Sequence, residues 1–294
     1  TFTVPSASTW TVKSTNGTDT AQQAVSITTS GQSASVTLSY KPTASTNAKS
    51  GVNYTTGISS LTAEKMSLYA EAISRNSAIT NTTSTVYIDD GASHYKISVG
   101  DSINIAINGT SYAFKVMGFN HDTLTSSTAY GSATATGKAG MTLQMADCLA
   151  ATAKMNSSNT NSGGWESCAM RTSNMATYLS QLTSAWQSVV KQVNKLSSAG
   201  SQSTTIKTTT DKLFLLSEVE IFGSATYSVS GEGSQYAYYK AGNSKVKNVN
   251  GSASGWWERS PHASNATSFF IVGSNGDANY FSASTSIGVA FGFC

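Results

Sequence analysis

Apolar positions recur along this chain with two different periods, and the switches between them mark its parts. In residues 1–42 they come in short alternating bursts, Phe2–Val4, Thr9–Lys13, Ala24–Thr28 and Ser33–Tyr40, the last with Val36, Leu38 and Tyr40 at a period of two. Asn16-Gly17 and Gly31-Gln32 supply turn signals between them. The pattern predicts a small β-rich region, Ig-like or a partial sandwich. It is too short to bury a comfortable core alone, so it should pack on a neighbour or on copies of itself. Residues 43–56 read as a Ser/Thr/Asn/Gly linker. Over 61–75 the period becomes helical: Met66, Tyr69, Ala70 and Ile73 fall on one stripe, Ser60 or Thr62 can cap, and Glu64 suits the first turn. The stripe predicts a core or oligomer contact, so residues 43–84 form a linker plus helix.

From residue 85 the period returns to two. Val86-Tyr87-Ile88 runs into the Asp90-Gly91 turn signal, and Tyr95–Val99 follows. Ile103–Ile107, Asn108-Gly109 and Ser111–Phe119 predict a hairpin, because Asn-Gly accepts the positive φ angles of a tight turn. Residues 141–155 are read as helical. Ser173–Leu196 is read as two helices with a phase break near Thr183, on the spacing of Met175, Tyr178, Leu179 and Leu182, then Trp186, Val189, Val190 and Val193. Residues 197–208 read as a Ser/Thr loop, and Leu213–Leu216 and Val219–Phe222 as short buried segments. Gly223–Gly255 is long, polar and rich in Gly, Ser and Tyr, which points to a functional loop.

Composition changes the picture most at the C-terminus. Charged residues are 11% of the chain, against roughly a quarter in ordinary proteins. From His262 to Ile287 there is no Lys, Arg, Glu, Gln, Met, Trp, Leu or Pro, and Asp277 is the one charged residue. Phe269, Phe270, Ile271, Tyr280, Phe281 and Ile287 remain among small polar residues, which is the composition of a paratope. Codons ending in a pyrimidine cannot encode Lys, Glu, Gln, Met or Trp, so the missing types suggest a cause in the DNA.

The residues bracketing this stretch carry a specific likeness. Trp256-Trp257-x-Arg259-Ser260-Pro261 and the closing Gly-Val-Ala-x-Gly-Phe-Cys of 288–294 resemble the variable region of diversity-generating retroelement target proteins. Upstream, Gly163-Gly164-Trp165-x-x-Cys168-x-Met170-Arg171 and Asp211–Ser217 occur in the same order in a bacterial and phage lectin-like family, and the match spans roughly residues 95–294. The resemblance implies an α+β chain: a C-type-lectin-like (formylglycine-generating-enzyme-like) domain over 85–294, with the variable region at about 256–294, preceded by the small β-sandwich-like region of 1–42 and the helical connector. It also implies that codons once encoding Asn are rewritten at template adenines. The slots carried over are His262, Asn265, Thr267, Ser268, Phe270, Ile271, Gly273, Asn275, Asp277, Asn279, Tyr280, Phe281, Ser282, Thr285 and Ile287, all reachable from an Asn codon in that way. Trp165, Arg171, Trp256, Trp257, Arg259 and Ser260 become structural frame, as do Glu258, Phe269, Val272, Gly276, Ala278, Gly288 and Val289. Phe291 stands where the family pattern has Pro. Hot-spot energy is expected in Tyr280, Phe281 and Phe270.

Other candidate chemistry weighs less. Gly131–Lys138 lacks the spacing and the Ser/Thr of a phosphate loop. His121-Asp122 has no nucleophile elbow to serve and reads as a satisfied loop pair. Cys148, Cys168 and Cys294 allow one disulfide at most, with Cys148–Cys168 or three free thiols as alternatives. Glu218 and Glu220, if on a strand, share a side and suit ion pairing. Asp89-Asp90 lacks the oxygen-rich spacing of an EF-hand. A net charge of +3 leaves no footprint for nucleic acid, and no run of roughly 20 apolar residues is present to insert in a membrane. The expectation is therefore a non-enzymatic binding module without metal or cofactor. It would be displayed on a phage tail (virion) or at a cell surface, contacting a cell-surface protein or glycan, with other tail proteins or further copies as additional partners. The alternative is a structural tail or fibre subunit.

Overall fold

A computed structural model describes residues 41–91, 93–131 and 134–294 in full, and the backbone of the strands Phe2–Thr3, Ser8–Asn16, Asp19–Ile27 and Ser33–Ala34. In that N-terminal part, Ser8–Asn16 pairs with Asp19–Ile27 as an antiparallel hairpin, and Phe2–Thr3 with Ser33–Ala34. The Gly31-Gln32 turn and the alternation of Val36, Leu38 and Tyr40 lie outside the described residues.

Strand and helix are mixed, 32% and 18%, and distributed over several small sheets, which places the chain in the α+β class. The central sheet has five antiparallel strands in the order Leu213–Phe214, Gly292–Phe293, Met141–Met145, Thr110–Phe119, Ser102–Ile107. The C-terminal strand is therefore interior, with Phe293 opposite both Leu143 and Leu213. The Asn108-Gly109 turn has φ of 47° and 78°, as the hairpin reading requires. Met141–Met145, expected to be helical, is instead a strand covered on both faces. Met141, Leu143 and Met145 alternate with Thr142 and Gln144 at a strand's period, but the run is only five residues long and is absorbed into the longer helical reading of 141–155.

The helix Ala63–Arg75 starts where its cap predicts, with Thr62 Oγ1 accepting from Lys65 N, and buries Met66, Tyr69, Ala70 and Ile73. It lies against the sheet so closely that a Cβ on Gly140 would come within 1.8 Å of the Ala70 carbonyl oxygen. Residues 43–56 are not a free linker. Thr43–Ser45 pairs with Thr85–Asp89, and Thr55–Thr56 with His94–Ser98, in a four-stranded sheet. Buried side chains from Ala44 to Phe293 form one core that includes this helix.

The two helices expected over 173–196 are Met175–Gln181 and Ser184–Val189, broken at Leu182 and Thr183. The second stops at Val189. Val193–Ser198 is a strand paired with Ile206–Asp211, so the expected Ser/Thr loop is a hairpin. Glu218 and Glu220 lie on the short helix Glu218–Phe222, not on a strand. Ser217 and Glu220 close a capping box there, a signature that outweighs the alternation of four residues.

Candidate ligand-binding surface

Three antiparallel strands, Trp256–Pro261, Ser268–Val272 and Ala278–Ser282, carry the C-terminal stretch. The first is buried along its whole length and anchors the other two. Trp256 and Trp257 are fully covered, and their indole N–H groups donate to the carbonyls of Lys245 (2.9 Å) and Ala153 (2.8 Å). Arg259 uses all five of its N–H donors. They reach the carbonyls of Leu196, Leu215 and Glu232 and, as a fork, both oxygens of Glu220 at 2.5 and 2.9 Å. Ser260 donates to the Glu232 carboxyl and accepts from Glu218 N. Upstream, Asp211 accepts from Trp165 Nε1 at 3.0 Å and pairs with Arg171 Nε at 2.6 Å, which ties the Gly-Gly-Trp segment to the hairpin at 193–211.

Buried charge surrounds this frame. Lys195 Nζ donates to Asp122 (2.7 Å) and to Glu220 (2.6 Å). Burial alone would raise the Asp122 and Glu220 carboxyls, but Lys195 beside Asp122, and Arg259 and Lys195 beside Glu220, hold both below their ordinary values. Glu232 lacks such a partner, and burial pushes it up to about 7. Glu258 is fully buried with no hydrogen bond to either oxygen, and burial, then the neighbouring Glu218, raise its carboxyl well above the ordinary value.

On this support stands an aromatic group. Tyr227 stacks on Phe270 with ring centroids 5.6 Å apart, His262 stacks on Phe270 at 5.4 Å, and Tyr280 meets the His262 ring edge-on at 4.6 Å. Tyr227 and Tyr280 are each 44% exposed, whereas Phe270 beneath them is fully covered. Burial lowers the His262 imidazole below its ordinary value, and its Nδ1 accepts from Ser264 N. Among the described residues the exposed large apolar side chains are Leu68, Tyr227, Val246, Tyr280 and Phe281, and all but Leu68 lie on or beside this sheet, Val246 within 3.3 Å of a Cβ placed on Gly276.

The expected slots divide by position. Asn275, Asp277, Asn279, Tyr280 and Phe281 are exposed; Asn265, Thr267, Ser282, Thr285 and Ile287 are half-buried; His262, Ser268, Phe270, Ile271 and Gly273 are buried. Pairing of Phe270 with Tyr280 and Phe269 with Phe281 sets Tyr280 on the face of Phe270, and Phe281 on the opposite one. The three expected hot-spot aromatics thus do not form one patch, and Phe270 supports the surface instead of presenting to it. Asn265 is committed to its own turn, accepting from Thr267 N and Oγ1.

Two participants were not read from the sequence. Tyr227 comes from the 223–255 loop, held by three backbone N–H donors of Thr226, Tyr227 and Ser228 to the Glu218 carboxylate and by Ala263 N to Tyr227 O. The Tyr-rich composition of that loop was the only signal. Asn161, fully buried, donates to the carbonyls of Asn265 and Ser268 and fixes the 262–268 turn.

The remaining candidates are structural. Asp89 pairs with Lys49, and Asp90 with Lys65 and Tyr69. All three cysteines are free, and burial pushes Cys148 and Cys168 up to about 12, out of the reactive range. Phe291 packs in the core against Phe114 and Tyr178.

No curated protein and no solved structure matches the chain. A family described as a domain of unknown function, DUF6273, matches residues 139–293, more than half of the chain and the whole span from Gly163-Gly164-Trp165 to the C-terminal strand. The frame and the surface described above therefore lie inside that match, and the chain belongs to the DUF6273 family.

Proposed function

We propose that this chain is a ligand-binding module whose contact surface is the C-terminal three-stranded sheet together with Tyr227. The observation that carries the reading is the aromatic group of Tyr227, His262, Phe270 and Tyr280. Two tyrosines stand half-exposed on a rigid buried support, flanked by short polar residues and almost free of long charged chains. Aromatic rings bring contact area at low conformational cost, and Asn, Ser and Thr add adaptable hydrogen bonds. The finer reading follows the resemblance: a C-type-lectin-like variable protein, diversified at its C-terminus and displayed on a phage tail or cell surface, binding a host-cell protein or glycan. Its exposed slots Asn275, Asp277, Asn279, Tyr280 and Phe281 cluster on the edge strand and the hairpin turn before it, where side chains can change without disturbing the core.

A near-copy of the codons for residues 250–294 beside the gene, differing only at template adenines, would support diversification. Mismatches scattered over all bases, or concentrated at buried Trp256, Trp257 and Arg259, would sink it. The edge strand Ala278–Ser282 also supports a second reading, because an unpaired strand edge can join a copy of itself. In that structural-subunit case, Tyr280→Ala would dissolve assemblies and leave adhesion of the isolated chain unchanged.

A further inference from the structure

A second concave site lies away from the aromatic group, between the hairpin at 193–211 and the 231–234 segment. It is an open cleft of about 280 Å³, lined by His121, Thr123, Lys138, Asn194, Leu196 and Ser234, with Asp122 and Glu220 at its back. Strand alternation places Asn194 and Leu196 on the side opposite the inward-facing Lys195. Gly231 and Gly233, at φ of 98° and 122°, bring bare backbone to the rim, and a Cβ on Gly233 would meet Glu220 Oε1 at 3.0 Å.

The hydrogen-bond inventory of the walls is lopsided. Both carboxylates are already spent. Asp122 accepts from Lys195, Thr142 and Tyr236, and Glu220 accepts from Lys195 and Arg259. They have little left for a cationic ligand, and their charges are cancelled by Lys195 and Arg259. Donors, by contrast, remain. Lys138 Nζ gives one N–H to Thr123 Oγ1 at 2.7 Å and, among the described residues, makes no ion pair, the carboxylates of Asp122 and Glu220 in the same cleft being paired with Lys195 and Arg259. The Asn194 amide makes no side-chain hydrogen bond there. His121 adds no free donor: its side chain is 5% exposed, its Nε2 is engaged by the Ser234 carbonyl at 2.8 Å and hydroxyl at 3.2 Å, and its Nδ1 lies 3.5 Å from Asp122 Oδ1, so Lys138 and Asn194 are the donors that remain. Leu196 supplies an apolar strip, and Ser234 and Thr123 supply hydroxyls that keep a hydrogen-bonding position each beyond their contacts to His121 and Lys138. The ligand such a cleft completes is small, carries acceptors and a negative charge for Lys138, and presents hydroxyls elsewhere.

We propose that this cleft binds a hexose-sized carboxylate, an acidic sugar of the hexuronate type. Its size lies just below the range of drug-sized sites, about 300–1,000 Å³, as suits a single sugar, and the Lys138 ammonium, without an ion pair among the described residues, selects the acid over the neutral sugar.

Titration calorimetry of the full chain with glucuronate, glucose and sulfate tests this. The expected result is saturable glucuronate binding, tighter by at least about tenfold than glucose, since a charge-assisted hydrogen bond is worth about that much, and tighter than sulfate, which carries the charge but no hydroxyls or ring for the rest of the cleft. Lys138→Met should erase the preference, Asn194→Ala should weaken it, and Tyr280→Ala should leave it unchanged. Methyl glucuronide binding as well as the free acid would identify the end of a glycan chain as the source; free acid alone binding would identify a soluble sugar acid. No saturable glucuronate binding, equal binding by Lys138→Met, or sulfate matching glucuronate would each overturn the proposal. Lys138 is partly exposed and outside the core, so its substitution tests the site without threatening the fold.

Discussion

Glu232 shows how one side chain can set a pH dependence. Its carboxyl is raised to about 7 by burial, while it accepts from Ser260 Oγ and Ser198 N. A raised carboxyl contributes stability that is fully present below the unfolded value and is lost as pH rises through the folded one. Stability from this group should therefore fall between pH 4.5 and about 7, by up to about 3 kcal/mol at 1.36 kcal/mol per unit. Glu232→Gln cannot ionise, so urea midpoints of the variant minus wild type should rise across that window; a flat difference would contradict the assignment. At the surface, Tyr227→Ala and Tyr280→Ala should each weaken ligand binding by about 2 kcal/mol or more, with thermal midpoints nearly unchanged because each ring is 44% exposed. Phe270→Ala should instead destabilise folding by about 3–5 kcal/mol, and Phe281→Ala should affect binding less than Tyr280→Ala. The polar, aromatic character of residues 262–287 was legible in composition. Which ring points out was not, because that depends on the register of Ser268–Val272 against Ala278–Ser282.

Two glycines separate local from non-local constraint at the scale of an element. Gly251 turns the hairpin between Lys247–Val249 and Ser252–Ser254 at φ of 82° with open space around a Cβ. Gly251→Ala should cost only the backbone strain, about 1 kcal/mol. Gly140→Ala drives a methyl into the backbone of the helix Ala63–Arg75, and should cost about 3 kcal/mol or more. Urea unfolding of the two variants side by side checks the contrast; similar losses would mean that the helix can retreat from the sheet. The same division explains the element readings. The Asn108-Gly109 hairpin and the capped helix at 63–75 are written in adjacent residues and were read correctly. Val193–Ser198 and the pairing of 43–56 depend on partners far along the chain, and their local patterns pointed elsewhere, whereas Met141–Met145 alternates as a strand does and was hidden inside a longer stretch read as helix.

Over the whole molecule, Arg259 links the C-terminal three-stranded sheet to the core. Its donors reach the strand Val193–Ser198, the stretch before the helix Glu218–Phe222, that helix itself and the 223–255 loop, all without solvent. Arg259→Ala would leave Glu220 with Lys195 as its one ion-pair partner and strand three carbonyls, at a cost of about 3–5 kcal/mol for a broken buried pair. Arg259→Lys should recover little, because an ammonium cannot reproduce the five-donor fork. Loss of cooperative unfolding in both variants is the expected calorimetric outcome, and a fully stable Lys variant would refute the linkage.

What the sequence determined by itself is local. It contains the alternation of the strands, the helix caps, the Asn-Gly turn, the low charge and the aromatic, Lys-free composition of the C-terminal stretch, together with the Trp-Trp-x-Arg-Ser-Pro motif that frames it. These rest on neighbouring side chains and on backbone preferences a few residues long. Only the tertiary structure decided that Phe270 lies beneath Tyr227, that Glu218 holds the loop bearing that tyrosine, and that Lys195 and Arg259 consume the carboxylates of Asp122 and Glu220. Each of these joins residues between 9 and 73 positions apart. A buried charge or ring takes its role from whatever the fold sets against it, and spacing along the chain does not carry that information.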